Sequence, residues 1–319
     1  MAQLRIDPWR SDFGSGAEID FEGEVSKAVT DPQVETADWS RPIVPAPQPP
    51  EAWVFVDGVM RSETNVMAAE GDRRAWGRFG SVAAGGVRCD GTATFVAQDR
   101  PVRRVLVVGS RVEVADVTVT VGSSDLHYPV YPVADDSQQG LRIGLQRAMF
   151  AEEQQLAMSL VDQGLVFVDG RLSPDLIGPE PIVGVVKRMV KAYLDGTEAE
   201  LLGRLAPGQR TPLFAFGSGQ PDRFAFHLRL IPQEASWHEL AGLVRCEVPM
   251  AIGRDAAIDI ADRVACHLPS FAGRPGVDPR APQNLTPVGA LEARLKHRLG
   301  SRLMIERALK AHLTEAIHA

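Results

Sequence analysis

The chain has 319 residues, and its 41 acidic against 34 basic side chains leave a formal net charge of −7. That balance excludes a uniformly basic nucleic-acid coat, while a local basic groove stays compatible with it. The three cysteines, Cys89, Cys246 and Cys266, are scattered without CxxC spacing, so neither a disulfide framework nor structural zinc is expected. No run reaches the roughly 18 apolar residues of a membrane span. The N-terminus has no apolar signal-peptide core, so the expected location is cytoplasmic.

In chain order, residues 1–50 are polar and end in RPIVPAPQPP. Proline fixes φ and removes a donor, so this stretch reads as an extended arm, free to dock on the body or on a partner, with one domain expected over 51–319. The word VFVDG then occurs at Val54–Gly58 and again at Val166–Gly170. Each copy is β-branched and aromatic, which predicts a buried strand, and each stops at Asp-Gly, which predicts a turn. Further strands are expected at 75–88, 92–98, 102–108 and, from its alternation, 111–121, followed by a loop over 125–136. Leucines at 141, 145, 156 and 160 recur at helical spacing over Ser137–Asp162, with Ser137 as the cap. Strands are expected at 213–218, 224–230 and 243–248. Helices are expected at 252–267, at 286–299 with Pro287 in its first turn, and at 302–317.

If the two VFVDG strands are parallel neighbours about 4.8 Å apart, Asp57 and Asp169 meet at their ends. Two carboxylates that close do not both ionise cheaply without a cation between them, and Mg²⁺ or Mn²⁺ takes such oxygen ligands. Alone, each aspartate reads better as a turn residue, and it is the repeated word that shifts the balance toward a site. At about 100° per residue, Glu152 falls on the leucine face of the helix and Glu153 at its margin. A carboxylate in an apolar stripe calls for a metal or a partner, and Arg147 or Arg188 would also serve. The trio Asp57, Glu152 and Asp169 is therefore the expected metal site, holding one or two divalent ions. No HExxH, GxSxG or Walker A sequence is present, which argues against a zinc peptidase, a serine hydrolase and an ATPase.

Several pieces, in this order and spacing, resemble the NurA nuclease family: WVFVDG, the acidic helix with Glu152, LVFVDGRL, IVGVVKR, FAFHLRL and a late Asn-Leu loop entering a helix. The resemblance spans roughly residues 51–300. It implies an α/β fold with an RNase H-like mixed central sheet flanked by helices. It also implies a Mn²⁺- or Mg²⁺-dependent deoxyribonuclease that acts on single-stranded DNA or duplex ends, as a homodimer, with a HerA-type hexameric ATPase. Asp57, Glu152 and Asp169 match the metal-binding acids, and Lys187 matches a motif position that would meet the phosphate. The chain departs from the family late: Asn284 stands about where a tyrosine is expected and Glu292 about where a histidine is. Glu292 is either a fourth acidic ligand or a solvated helix residue. If the site has decayed, the chain is instead an adaptor that binds DNA or the ATPase without cleaving. Arg229 and Arg245, in apolar strands, call for an anion or an acid partner.

Overall fold

The computed structural model describes residues 2–6, 28–173, 176–187, 193–234, 237–278, 281 and 284–318. Strands β1 (Gln3–Ile6), β2 (Ala28–Asp31), β3 (Trp53–Glu70), β4 (Arg73–Asp90), β5 (Thr92–Val96), β6 (Arg103–Gly109), β7 (Val117–Val121), β8 (Ser124–Tyr128) and β9 (Val130–Val133) lead into helix α1 (Gln138–Ser159). Then come β10 (Leu165–Asp169), β11 (Ile182–Val186), α2 (Gly196–Glu200), β12 (Phe214–Ser218), β13 (Arg223–Arg229), β14 (Leu243–Pro249), α3 (Arg254–His267), α4 (Thr286–Arg298) and α5 (Arg302–His318).

One large mixed sheet runs β2-β12-β13-β14-β11-β10-β3-β4-β6-β9. At its centre β6, β4 and β3 are antiparallel neighbours, while β3, β10 and β11 are parallel. A parallel pair needs a long crossover, and α1, which leads into β10, completes the one that connects β3 to β10. This is the α/β arrangement with an RNase H-like strand order that the sequence resemblance implies.

Alternation along the VFVDG words explains the layers. Val54, Val56, Val166 and Val168 point to one face and pack under Leu156 and Ala157 of α1. Trp53, Phe55 and Phe167 point to the other, where α3 and α4 cover them with Val264, Val288, Leu291 and Leu295. Trp53 stacks on Phe167 with ring centroids 4.8 Å apart. Ser137 caps α1 as expected, its hydroxyl accepting from the Gly140 N–H at 3.0 Å. The glycines of β4 admit the helices: a Cβ on Gly80 would lie 2.5 Å from Leu145 Cδ1 of α1.

Three expectations are corrected. Asp57-Gly58 is not a turn, because β3 continues for 18 residues and the turn to β4 falls at Gly71-Asp72. The alternating stretch 111–121 is strand only over Val117–Val121, and residues 124–133 form β8 and β9 rather than a loop. Of the two places left open for the arm, the described part of residues 1–50 docks on the body: β1 pairs with β3, β2 pairs with β12, and Trp39 is buried. The Glu35 carboxylate there takes Arg210 through both oxygens, at 2.8 and 2.9 Å. Within the arm, residues 7–27 lie outside the described residues.

Candidate metal centre

β3 and β10 run parallel with Val56 opposite Val168. Asp57 therefore shares the face of Phe55, and Asp169 that of Phe167, both beneath α4. On that face one carboxylate oxygen each of Asp57, Asp169 and Glu292 lie within 4.8 Å of one another. The N-terminal half of α4 is anchored by Val288 and Leu291 in the core, and this turns Glu292 toward the strand ends. Glu292 is not a wholly solvated helix residue: its side chain is 13% exposed, and one oxygen receives Lys296 at 3.0 Å. Beneath Asp169 the floor is apolar, made by Phe55, Phe167, Val185, Leu285 and Val288.

Asp57 is 6% exposed, and its Oδ2 is buried with no hydrogen-bond partner among the described residues. Burial pushes its pKa well above the usual carboxylate range; the Asp169 charge raises it further, Lys187 opposes the shift, and Glu292 adds to it. Burying an unpaired carboxylate oxygen is costly unless a cation meets it. The donor set is entirely oxygen, which suits a hard divalent ion such as Mg²⁺ or Mn²⁺. With metal–oxygen distances of about 2.0–2.1 Å, oxygens on one ion are at most about 4.2 Å apart, so small side-chain rotations close this triad on an ion.

Lys187 follows β11 directly and sits at the same edge. Its ammonium donates to Asp169 Oδ2 at 2.7 Å and to Asn284 Oδ1 at 3.0 Å. Asn284 is 2% exposed and donates in turn to Asp278 Oδ2 at 2.6 Å. Asn284 is thus an amide that grips the lysine.

Glu152 is placed elsewhere, and this corrects the expected trio. Its Oε2 accepts from Arg100 at 2.8 Å and its Oε1 from Arg103 at 3.1 Å, so both oxygens are committed to guanidinium groups. The acid that α1 presents to the cluster is Glu153. It is buried, and burial first, then the charges of Asp57 and Asp169, push its pKa well up. It comes from the α1 face, pressed against Gly58, whereas the triad lies on the α4 face. The sequence carried a signal for it: Met149, Leu156 and Ala157, at i−4, i+3 and i+4 from Glu153, are all apolar.

Of the two strand arginines, Arg245 pairs with Glu247 at 3.0 Å. The guanidinium of Arg229 instead donates to backbone carbonyls, those of Leu202, Leu205, Glu239 and Ala241. Arg188 lies outside the described residues. No described helix is long and apolar enough to cross a membrane.

Neither a family model nor a curated protein matches this chain. Among solved structures, the crystal structure of the NurA nuclease from Sulfolobus solfataricus is similar to it, with a TM-score of 0.41 and 11% sequence identity over 77% of this chain and 79% of that one.

Proposed function

We propose that this chain is a divalent-metal-dependent deoxyribonuclease that hydrolyses phosphodiester bonds in single-stranded DNA or at duplex ends. The observation that carries the reading is the buried Oδ2 of Asp57, without a partner among the described residues and set among the carboxylates of Asp169 and Glu292. When bound, a divalent ion lowers the pKa of water and offsets charge on a phosphate. Asp57, Asp169 and Glu292 would hold it, with Mn²⁺ or Mg²⁺ as the ion. Glu153 backs Asp57 from the opposite face of the sheet and would add negative charge once a bound cation favours its ionised form. Lys187, 14% exposed, has an ammonium available to meet a phosphate oxygen. The sequence resemblance supports the wider setting: DNA end processing in the cytoplasm by a homodimer fed by a HerA-type hexameric ATPase.

The test is cleavage of single-stranded DNA with Mn²⁺. Asp57→Asn and Asp169→Asn are expected to abolish it, and wild-type rates in either variant would overturn the proposal. A wild-type chain inert with every divalent ion, yet still binding a HerA-type hexamer, would point to the non-catalytic adaptor instead.

A further inference from the structure

We infer that Lys187 is a built-in cation standing where a second metal would stand, so that this site takes a single divalent ion. The inference rests on the metal reading above and narrows the one or two ions that the acid trio allows. In two-metal sites the ions sit about 3.5–4 Å apart on either side of the substrate oxygens, and a carboxylate that bridges them offers one oxygen to each. Asp169 is placed to bridge, but its Oδ2 already holds the Lys187 ammonium at 2.7 Å. An ion on that oxygen would stand against a fixed cation, which leaves the other oxygen as the favoured ligand for an ion shared with Asp57 and Glu292.

The lysine is held on two sides by fixed partners. Its backbone follows β11, where Val185 is in register with Asp169. Its tip is clasped by the buried Asn284, itself bonded to Asp278. The clasp is a neutral amide, so it orients the ammonium without cancelling its charge, as a carboxylate there would. An ammonium has three donors. Two are used, and the third finds no partner among the described residues, which leaves it for a non-bridging phosphate oxygen. Charge agrees: Asp57, Glu153, Asp169 and Glu292 stand against the ammoniums of Lys187 and Lys296, so one divalent ion balances the site with all four carboxylates ionised and a second would make it net positive.

The test is to count bound Mn²⁺ on the full chain by calorimetric titration and electron paramagnetic resonance, without DNA. Wild type and Lys187→Arg are expected to bind one ion, and Lys187→Met two, with thermal melts confirming that each variant is folded. Two ions on wild type would overturn the inference and leave the metal reading standing. No ion on wild type would sink the metal reading itself. One ion on a folded Lys187→Met protein would show that the lysine does not hold the second position.

Discussion

Glu153 Oε1 lies only 2.5 Å from where a Cβ on Gly58 would stand, and Met149 Cγ lies 2.9 Å from the same point. Gly58 is therefore a contact glycine in mid-strand, and its missing side chain is what lets the α1 carboxylate reach the Asp57 neighbourhood. Gly58→Ala is expected to push Glu153 and Met149 outward at a cost of about 1–3 kcal/mol, the usual range for overpacking. It should also weaken Mn²⁺ binding. Chemical unfolding and metal titration measure the two effects, and an alanine variant matching wild type in both would contradict this contact.

Adjacent acids on α1 should behave differently. Glu153→Gln removes a buried carboxyl beside Asp57 and Asp169 that can ionise when a cation binds, and is expected to weaken Mn²⁺ binding by at least about tenfold, a shift of about 1.4 kcal/mol. Glu152→Gln loosens two partly exposed pairs with Arg100 and Arg103, which costs about 1 kcal/mol of stability or less. Its Mn²⁺ affinity should stay within about threefold of wild type. Reversed results would restore the arrangement with Glu152 as the ligand.

Why the sequence points to Glu152 is a matter of geometry. A fixed helical wheel assumes that one face stays buried along the whole helix. At about 100° per residue, the buried residues at the start of α1, Gly140 to Ala148, and those at its end, Glu153 to Ala157, define faces well apart on the wheel. The helix crosses a twisted sheet, so its contact stripe drifts over 22 residues. Arg100 and Arg103, which claim Glu152, arrive from β6 and the segment before it, and no local pattern reveals that. By contrast, the VFVDG echo was legible because apolar strand and acid are encoded together within five residues, although only the second copy ends its strand. Asn284 was visible only as a departure; its grip on Lys187 depends on a contact spanning nearly a hundred positions.

The ties of residues 28–50 are testable through Arg210, which is fully buried between Glu35 and Asp262. Arg210→Ala strands both carboxylates. Removing one partner of a buried pair costs about 3–5 kcal/mol, and the partial exposure of Glu35 and Asp262 places this case near the lower end. Urea unfolding should show that loss, and limited proteolysis should cut between residues 32 and 50 faster than in wild type. An unchanged midpoint with unchanged cleavage would mean the segment is held by other contacts.

Proton and metal linkage give the last expectation. Asp57 and Glu153 have raised pKa values in the folded chain, so the folded state binds protons that the unfolded state has already released. Stability then falls as pH rises from the ordinary carboxylate values, 3.8 and 4.5, up through the raised ones, and the penalty is complete above them. Asp57→Asn removes one of these groups. In EDTA at neutral pH it should be more stable than wild type, and the difference should shrink as the pH is lowered toward 4. Saturating Mn²⁺ should invert the order, because an ion held at a hundred times its Kd stabilises wild type by about 2.7 kcal/mol and finds no anionic Asp57 in the variant. Paired melts across pH, with and without Mn²⁺, measure all of this. A variant less stable than wild type in EDTA at neutral pH would mean that the carboxylate is satisfied within the fold and is not waiting for a cation.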